Sequence, residues 1–145
     1  MTDAQKYRFD LQGYLVLEGV VSPELVAAAN RAMDRYETMD PADFPPPLCL
    51  GGPDRPNHRY VSNILEGAPE LRPLIDLPAV IDVVRSVSGA TFRLNHTYAM
   101  YSGRDYFTGL HMHGTPIIDI CQYRAENGQI VSTLTKAVIP LIDCS

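Results

Sequence analysis

Apolar residues recur three and four apart at Leu25, Ala28, Ala29, Ala32, Met33 and Tyr36, while Arg31, Asp34 and Arg35 fall outside that stripe. Spacing of this kind predicts an amphipathic helix with one face in a core. Its start is marked by Ser22-Pro23-Glu24, an N-cap hydroxyl, a proline at the first helical position and an acid in the first turn. A second helix is predicted from Pro78 through Val80, Ile81, Val84 and Val87 to a stop at Ser88-Gly89. Between the two, residues 68–77 read as a short amphipathic turn or helix broken at Pro73.

Other stretches favour strands. Gly13-Tyr14-Leu15-Val16-Leu17-Glu18-Gly19 reads as a short one between two glycines. After Gly89 the runs 91–102, 117–123, 129–134 and 137–143 are β-favouring, and the Asn127-Gly128 step between two of them is a hairpin signal. From Asp40 to Arg59 six of the twelve prolines and Gly51-Gly52 predict a long loop, with His58 and Arg59 as its solvated end. The expected fold class is α+β: one domain over residues 1–145, with N-terminal helices packed on an antiparallel β-body whose last strand is left as an open edge.

Composition narrows the partners. A net charge of -5 lacks the basic footprint that a phosphate backbone demands, so nucleic acid is not an expected partner. No apolar run reaches membrane-spanning length and the first residues are polar, so the expectation is a soluble, cytoplasmic protein without membrane contact. Cys49, Cys121 and Cys144 are widely spaced without a CxxC pair, which predicts reduced thiols rather than a disulfide framework.

The chemistry-bearing signal is Leu110-His111-Met112-His113-Gly114. In an extended segment both imidazoles point to one face, about 7 Å apart at the backbone. Two ring nitrogens can then converge on one first-row divalent ion at about 2 Å each. An ordinary pair of polar or partly buried histidines fits the same pattern. A metal centre needs a third protein ligand, and His58, His96, Asp119, Cys121 and Asp143 supply suitable types without a spacing that selects one.

Taken in order, Phe9 with Gly13 to Ser22, then Leu77-Pro78-Ala79-Val80-Ile81-Asp82-Val83-Val84, then the His-x-His and Leu141-Ile142-Asp143 resemble the phytanoyl-CoA dioxygenase family of non-haem iron oxygenases over nearly the whole chain. The resemblance implies a partial double-stranded β-helix, or jelly roll, behind the helices. It implies Fe(II) as the metal, with O2 and 2-oxoglutarate as co-substrates and a small organic molecule as substrate. His111 falls on the family's first histidine and His113 on its aspartate. The strand from Phe92 to Tyr101 would line the 2-oxoglutarate pocket, with Asn95, Tyr98 and Tyr101 as its polar or aromatic contacts.

Two departures matter. An imidazole at His113 in place of a carboxylate removes a negative charge from the metal's ligand set, which alters redox potential and affinity for a dianion. A second register, with His113 as first ligand and Thr115 in the acid's place, would leave an open coordination position as in halide-binding relatives. No histidine follows His113, whereas the family's distal histidine and its 2-oxoglutarate-clamping arginine lie past the equivalent of Leu141-Ile142-Asp143. The expectation is therefore a chain truncated at its C-terminal side and inactive alone. Two other readings stay open: a catalytically inactive jelly-roll binding domain, and a cupin-like protein with several histidine ligands, His96 or His58 among them, that does not use 2-oxoglutarate.

Overall fold

A computed structural model describes residues 1–107, 109 and 121–143. In chain order the regular elements are α1 (Asp3–Gln12), α2 (Pro23–Thr38), β1 (Cys49–Leu50), β2 (His58–Ser62), α3 (Ile64–Gly67), α4 (Pro78–Ser88), β3 (Tyr98–Ser102), β4 (Tyr123–Glu126) and β5 (Gln129–Ser132). Turns of 3-10 helix cover Pro41–Asp43 and Pro69–Leu74. Helices and antiparallel sheets together make the chain α+β, and it divides into two compact units.

One unit comprises residues 1–20, 76–93 and, of its last segment, the described residues 121–139. Its first helix is set by local chemistry: the Thr2 hydroxyl accepts from the Gln5 amide at 3.2 Å and the Gln5 side chain accepts from the Thr2 amide at 2.9 Å. This reciprocal box satisfies two of the amides that a helix start leaves unpaired. Gly13, at φ +79°, ends α1 with its N–H on the Phe9 carbonyl. The expected strand over residues 13–19 is absent. The run follows that cap directly and has no partner strand among the described residues, and without a ladder β propensity alone does not make a strand.

The helix predicted from Pro78 forms as α4, buries Val87 and packs against β5. Strands β4 and β5 pair from Tyr123 opposite Ser132 to Glu126 opposite Gln129. Asn127 at φ 52° and Gly128 at φ 73° join them in the two-residue turn that the Asn-Gly step predicts.

The other unit, residues 21–75 and the described residues of 94–109 and 140–143, holds the main hydrophobic core. Along α2 the residues Ala29, Ala32, Met33 and Tyr36 are buried and Arg31, Asp34 and Arg35 are exposed, as the spacing requires. The stripe meets Phe44, Leu48, Val61, Ala68 and Leu71, with the Tyr36 and Phe44 rings edge to face at 5.9 Å. Beside it the sheet runs β1-β2-β3, antiparallel throughout.

The proline-rich segment is less irregular than its composition predicts. Arg55 and His58 exchange backbone hydrogen bonds at 3.0 and 3.1 Å around Pro56-Asn57, so His58 and Arg59 open β2 instead of ending a solvated loop. Pro56 sits inside the turn, where its missing N–H costs no ladder bond. Of the run 91–102 only Tyr98–Ser102 is strand, matching the five residues of β2 that face it. Residues 137–143 form no strand. Leu141 packs against the core, and its carbonyl accepts from the Asn30 side chain at 2.7 Å. No helix of the described residues is long and apolar enough to cross a membrane.

Candidate functional site

Pairing between β2 and β3 sorts their side chains onto two faces, because successive residues of a strand alternate and directly opposed residues share a side. Arg59, Val61, Ala99 and Tyr101 take one face, where Val61 is fully buried and Ala99 and Tyr101 pack on the core. His58, Tyr60, Ser62, Tyr98, Met100 and Ser102 take the other. Cys49 opposes Ser62 and joins this outer face.

Tyr101 and Tyr98 are therefore separated by the sheet. The Tyr101 hydroxyl donates to the Met33 carbonyl of α2 at 2.6 Å. Burial, and after it the charges of Glu37 and Asp34, push its phenol well above the ordinary tyrosine range. Tyr98 packs edge-on against Tyr60 at 4.6 Å between centroids, and the His96 ring stacks on Tyr98 at 5.3 Å. Asn95 lies beside that stack, its side-chain nitrogen 3.0 Å from His96 Nδ1. Of the three candidates for the 2-oxoglutarate pocket, the fold brings Asn95 and Tyr98 together through His96 and turns Tyr101 to the core.

At the other end of the outer face, His58 Nδ1 lies 3.2 Å from Ser102 Oγ, and its ring lies flat on Tyr106 at 3.7 Å and 4°. Tyr106 is brought there by a turn in which Gly103 donates to the Asn57 carbonyl at 2.8 Å and Tyr106 to the Gly103 carbonyl at 3.1 Å. Met100, opposite Tyr60, is 46% exposed. The outer face is thus a surface of phenol rings, imidazoles, a thioether and small hydroxyls.

The guanidinium that β2 carries is on the other side. Arg59 reaches the carbonyls of Tyr36 and Met39 at 2.9 and 2.7 Å and the Asp54 carboxylate at 2.6 and 3.0 Å. The hydrogen bond from Arg59 holds the Asp54 carboxyl below its usual range, and Asp54 in turn raises the Arg59 pKa. Arg59 caps the C-terminal end of α2, where unpaired carbonyls attract a cation.

The candidate metal ligands His111 and His113, and Thr115 of the alternative register, lie outside the described residues. Among the described residues no group of three or more metal-capable side chains is assembled. Tyr60, Met100 and Tyr106 join the surface without a signal that singled them out. The alternation in His58-Arg59-Tyr60-Val61-Ser62 was the available clue. No protein-family model matches the chain, and no curated protein or solved structure matches it.

Proposed function

We propose that this chain belongs to a non-haem Fe(II)- and 2-oxoglutarate-dependent oxygenase that hydroxylates a C–H bond of a small organic substrate, its antiparallel strands forming part of a jelly roll. The observation carrying this reading is the outer face of β2 and β3, an aromatic surface whose last strand leads along the chain into the segment bearing His111 and His113. These two imidazoles would hold the ion. Iron with 2-oxoglutarate and O2 would supply the oxidising chemistry, 2-oxoglutarate leaving as succinate and CO2 while one oxygen atom enters the substrate. Tyr101 does not fit as a co-substrate contact, because its hydroxyl is committed to Met33. Asn95 and Tyr98 lie on the side that carries His96, away from the core-facing Tyr101.

Anaerobic titration of the chain with Fe(II) tests the reading: one ion should bind, and His111→Ala should abolish binding. Retention of full affinity by His111→Ala would overturn it. The position of His96 beside Tyr98 favours one second reading, a multi-histidine metalloprotein without 2-oxoglutarate. There His96→Ala should weaken Fe(II) binding at least tenfold, and 2-oxoglutarate should leave the affinity unchanged. In the oxygenase reading His96→Ala is silent for metal, and 2-oxoglutarate tightens the ion.

A further inference from the structure

Every side chain that β2 and β3 place on the outer face is without a full charge apart from the titratable imidazole of His58: Tyr60, Ser62, Tyr98, Met100 and Ser102 complete it. Arg59, the one guanidinium in these strands, is on the opposite face and is engaged by Asp54 and two helix carbonyls. A dianion such as 2-oxoglutarate, whose recognition calls for a fixed cation and bidentate donors, finds neither among these strand side chains. What the surface does offer is π-faces. His96, Tyr98 and Tyr60 form a continuous aromatic row at 5.3 and 4.6 Å, His58 and Tyr106 form a second stack at 3.7 Å, and Met100 is exposed opposite Tyr60.

We infer that this face binds an uncharged planar aromatic group, and that in the oxygenase it holds the substrate's ring system, not the co-substrate. Ring edges and faces at these separations favour a further ring in offset or edge-on contact, and a thioether adds favourable sulfur–aromatic contact. The ring-binding property concerns the sheet face alone. Assigning that ring to the substrate rests on the oxygenase reading.

Two additional details support a preorganised surface. Gly51 lies against the Tyr60 ring, where a Cβ would come within 2.6 Å of the ring and of Ser62 Oγ, so backbone rather than a side chain backs that ring. His58 is fixed by Ser102 on one side and Tyr106 on the other. Rings already held in place lose little conformational freedom when a ligand stacks on them.

The test uses the chain with its methionine methyl groups labelled for NMR, titrated separately with 2-naphthol, octanoate and 2-oxoglutarate, without metal. The expected result is that 2-naphthol shifts the Met100 methyl resonance by ring current with saturable, submillimolar affinity. Octanoate should bind at least tenfold more weakly, and 2-oxoglutarate should leave the resonance in place. Tyr98→Leu should weaken 2-naphthol at least fivefold. Asn95→Asp brings a carboxylate to an exposed residue beside the stack, leaves the sheet intact, and should weaken it only slightly.

Tighter binding of octanoate than of 2-naphthol would make the face an acyl-chain surface and overturn the aromatic assignment. Displacement of 2-naphthol by 2-oxoglutarate would return the face to the co-substrate. Failure of Fe(II) binding at His111 would remove the oxygenase and leave the ring-binding result standing, so the two readings fail separately.

Discussion

Tyr101 and Met33 are joined by a hydrogen bond, phenol to helix carbonyl at 2.6 Å, that fastens the core face of β3 to the middle of α2. A tyrosine held in this way cannot also present its hydroxyl to a ligand on the other side of the sheet. Tyr98, three residues earlier on the same strand, faces that other side.

Tyr101→Phe should therefore cost stability without touching ligand binding. Losing one partly buried neutral hydrogen bond costs about 1 kcal/mol. Urea unfolding should show a lower midpoint at unchanged slope, while 2-naphthol and Fe(II) affinities stay within twofold of the parent. A fivefold loss of either affinity would place Tyr101 in a site.

Gly67 leaves no room for a side chain against this core. A Cβ there would meet the Leu48 methyl groups at 2.5 and 2.6 Å and Tyr36 Oη at 2.8 Å. The Gly67 carbonyl also accepts from Tyr36 Oη at 2.7 Å and from the Arg35 guanidinium. Gly67→Ala must push Leu48 or Tyr36 out of place, so it should destabilise by about 1–3 kcal/mol. Gly67→Ala combined with Leu48→Ala should recover part of that loss relative to the sum of the single changes, because the second change vacates the space that the first needs. Strict additivity of the two costs would refute the steric account.

Elements defined by neighbours in sequence were legible from the residues: the Ser22-Pro23 start of α2, the Gly89 stop of α4 and the Asn127-Gly128 turn. The Thr2-x-x-Gln5 capping box was equally local, but polar residues around it obscured α1. Elements defined by partners were not legible. Whether residues 13–19, 91–102 or 137–143 become strand depends on a facing ladder, and of these only Tyr98–Ser102 finds one, in β2. The same dependence separates Tyr98 from Tyr101. Both are aromatic and both suit a pocket wall, and register alone sends one to the core.

The ion pair between Asp54 and Arg59 gives a pH dependence whose sign follows from the direction of the Asp54 shift. Its carboxyl is held below its usual range by the hydrogen bond from Arg59, so the folded state releases that proton more readily than the unfolded chain, where an aspartate titrates near about 3.9. The stabilisation is present above that value and is lost as pH falls through the lower folded one. Unfolding of Asp54→Asn and of the parent, compared from pH ~6 downward, should converge in the acid range and differ above it. Arg59→Lys should destabilise at pH ~6 and by less in the acid range, since one ammonium cannot serve both the Tyr36 and Met39 carbonyls and a bidentate carboxylate, and the carboxylate part is lost when Asp54 is protonated. Equal pH dependence in the parent and Asp54→Asn would assign the effect to another group.

At the opposite end of the pH scale, the unit containing α1 should be sensitive through Tyr123. Its hydroxyl donates to Asp10 at 2.7 Å and its ring lies 6.3 Å from that of Phe9. Burial first, then the hydrogen bond to Asp10 and the charge of that carboxylate, push the phenol up to about 12. An unfolded tyrosine titrates near about 10, so the folded state holds this proton more tightly. The resulting stabilisation is complete below about pH 10 and is lost as pH rises through the folded value. Tyr123→Phe should remove a late-titrating phenol from an ultraviolet difference titration and reduce the loss of stability between about pH 10 and pH 12. Asp10→Asn keeps an acceptor but removes the charge, so Tyr123 should titrate earlier than in the parent and still later than an exposed tyrosine. Identical titration curves for the parent and Asp10→Asn would show that burial alone holds the proton, and that α1 is not tied to β4 through this carboxylate.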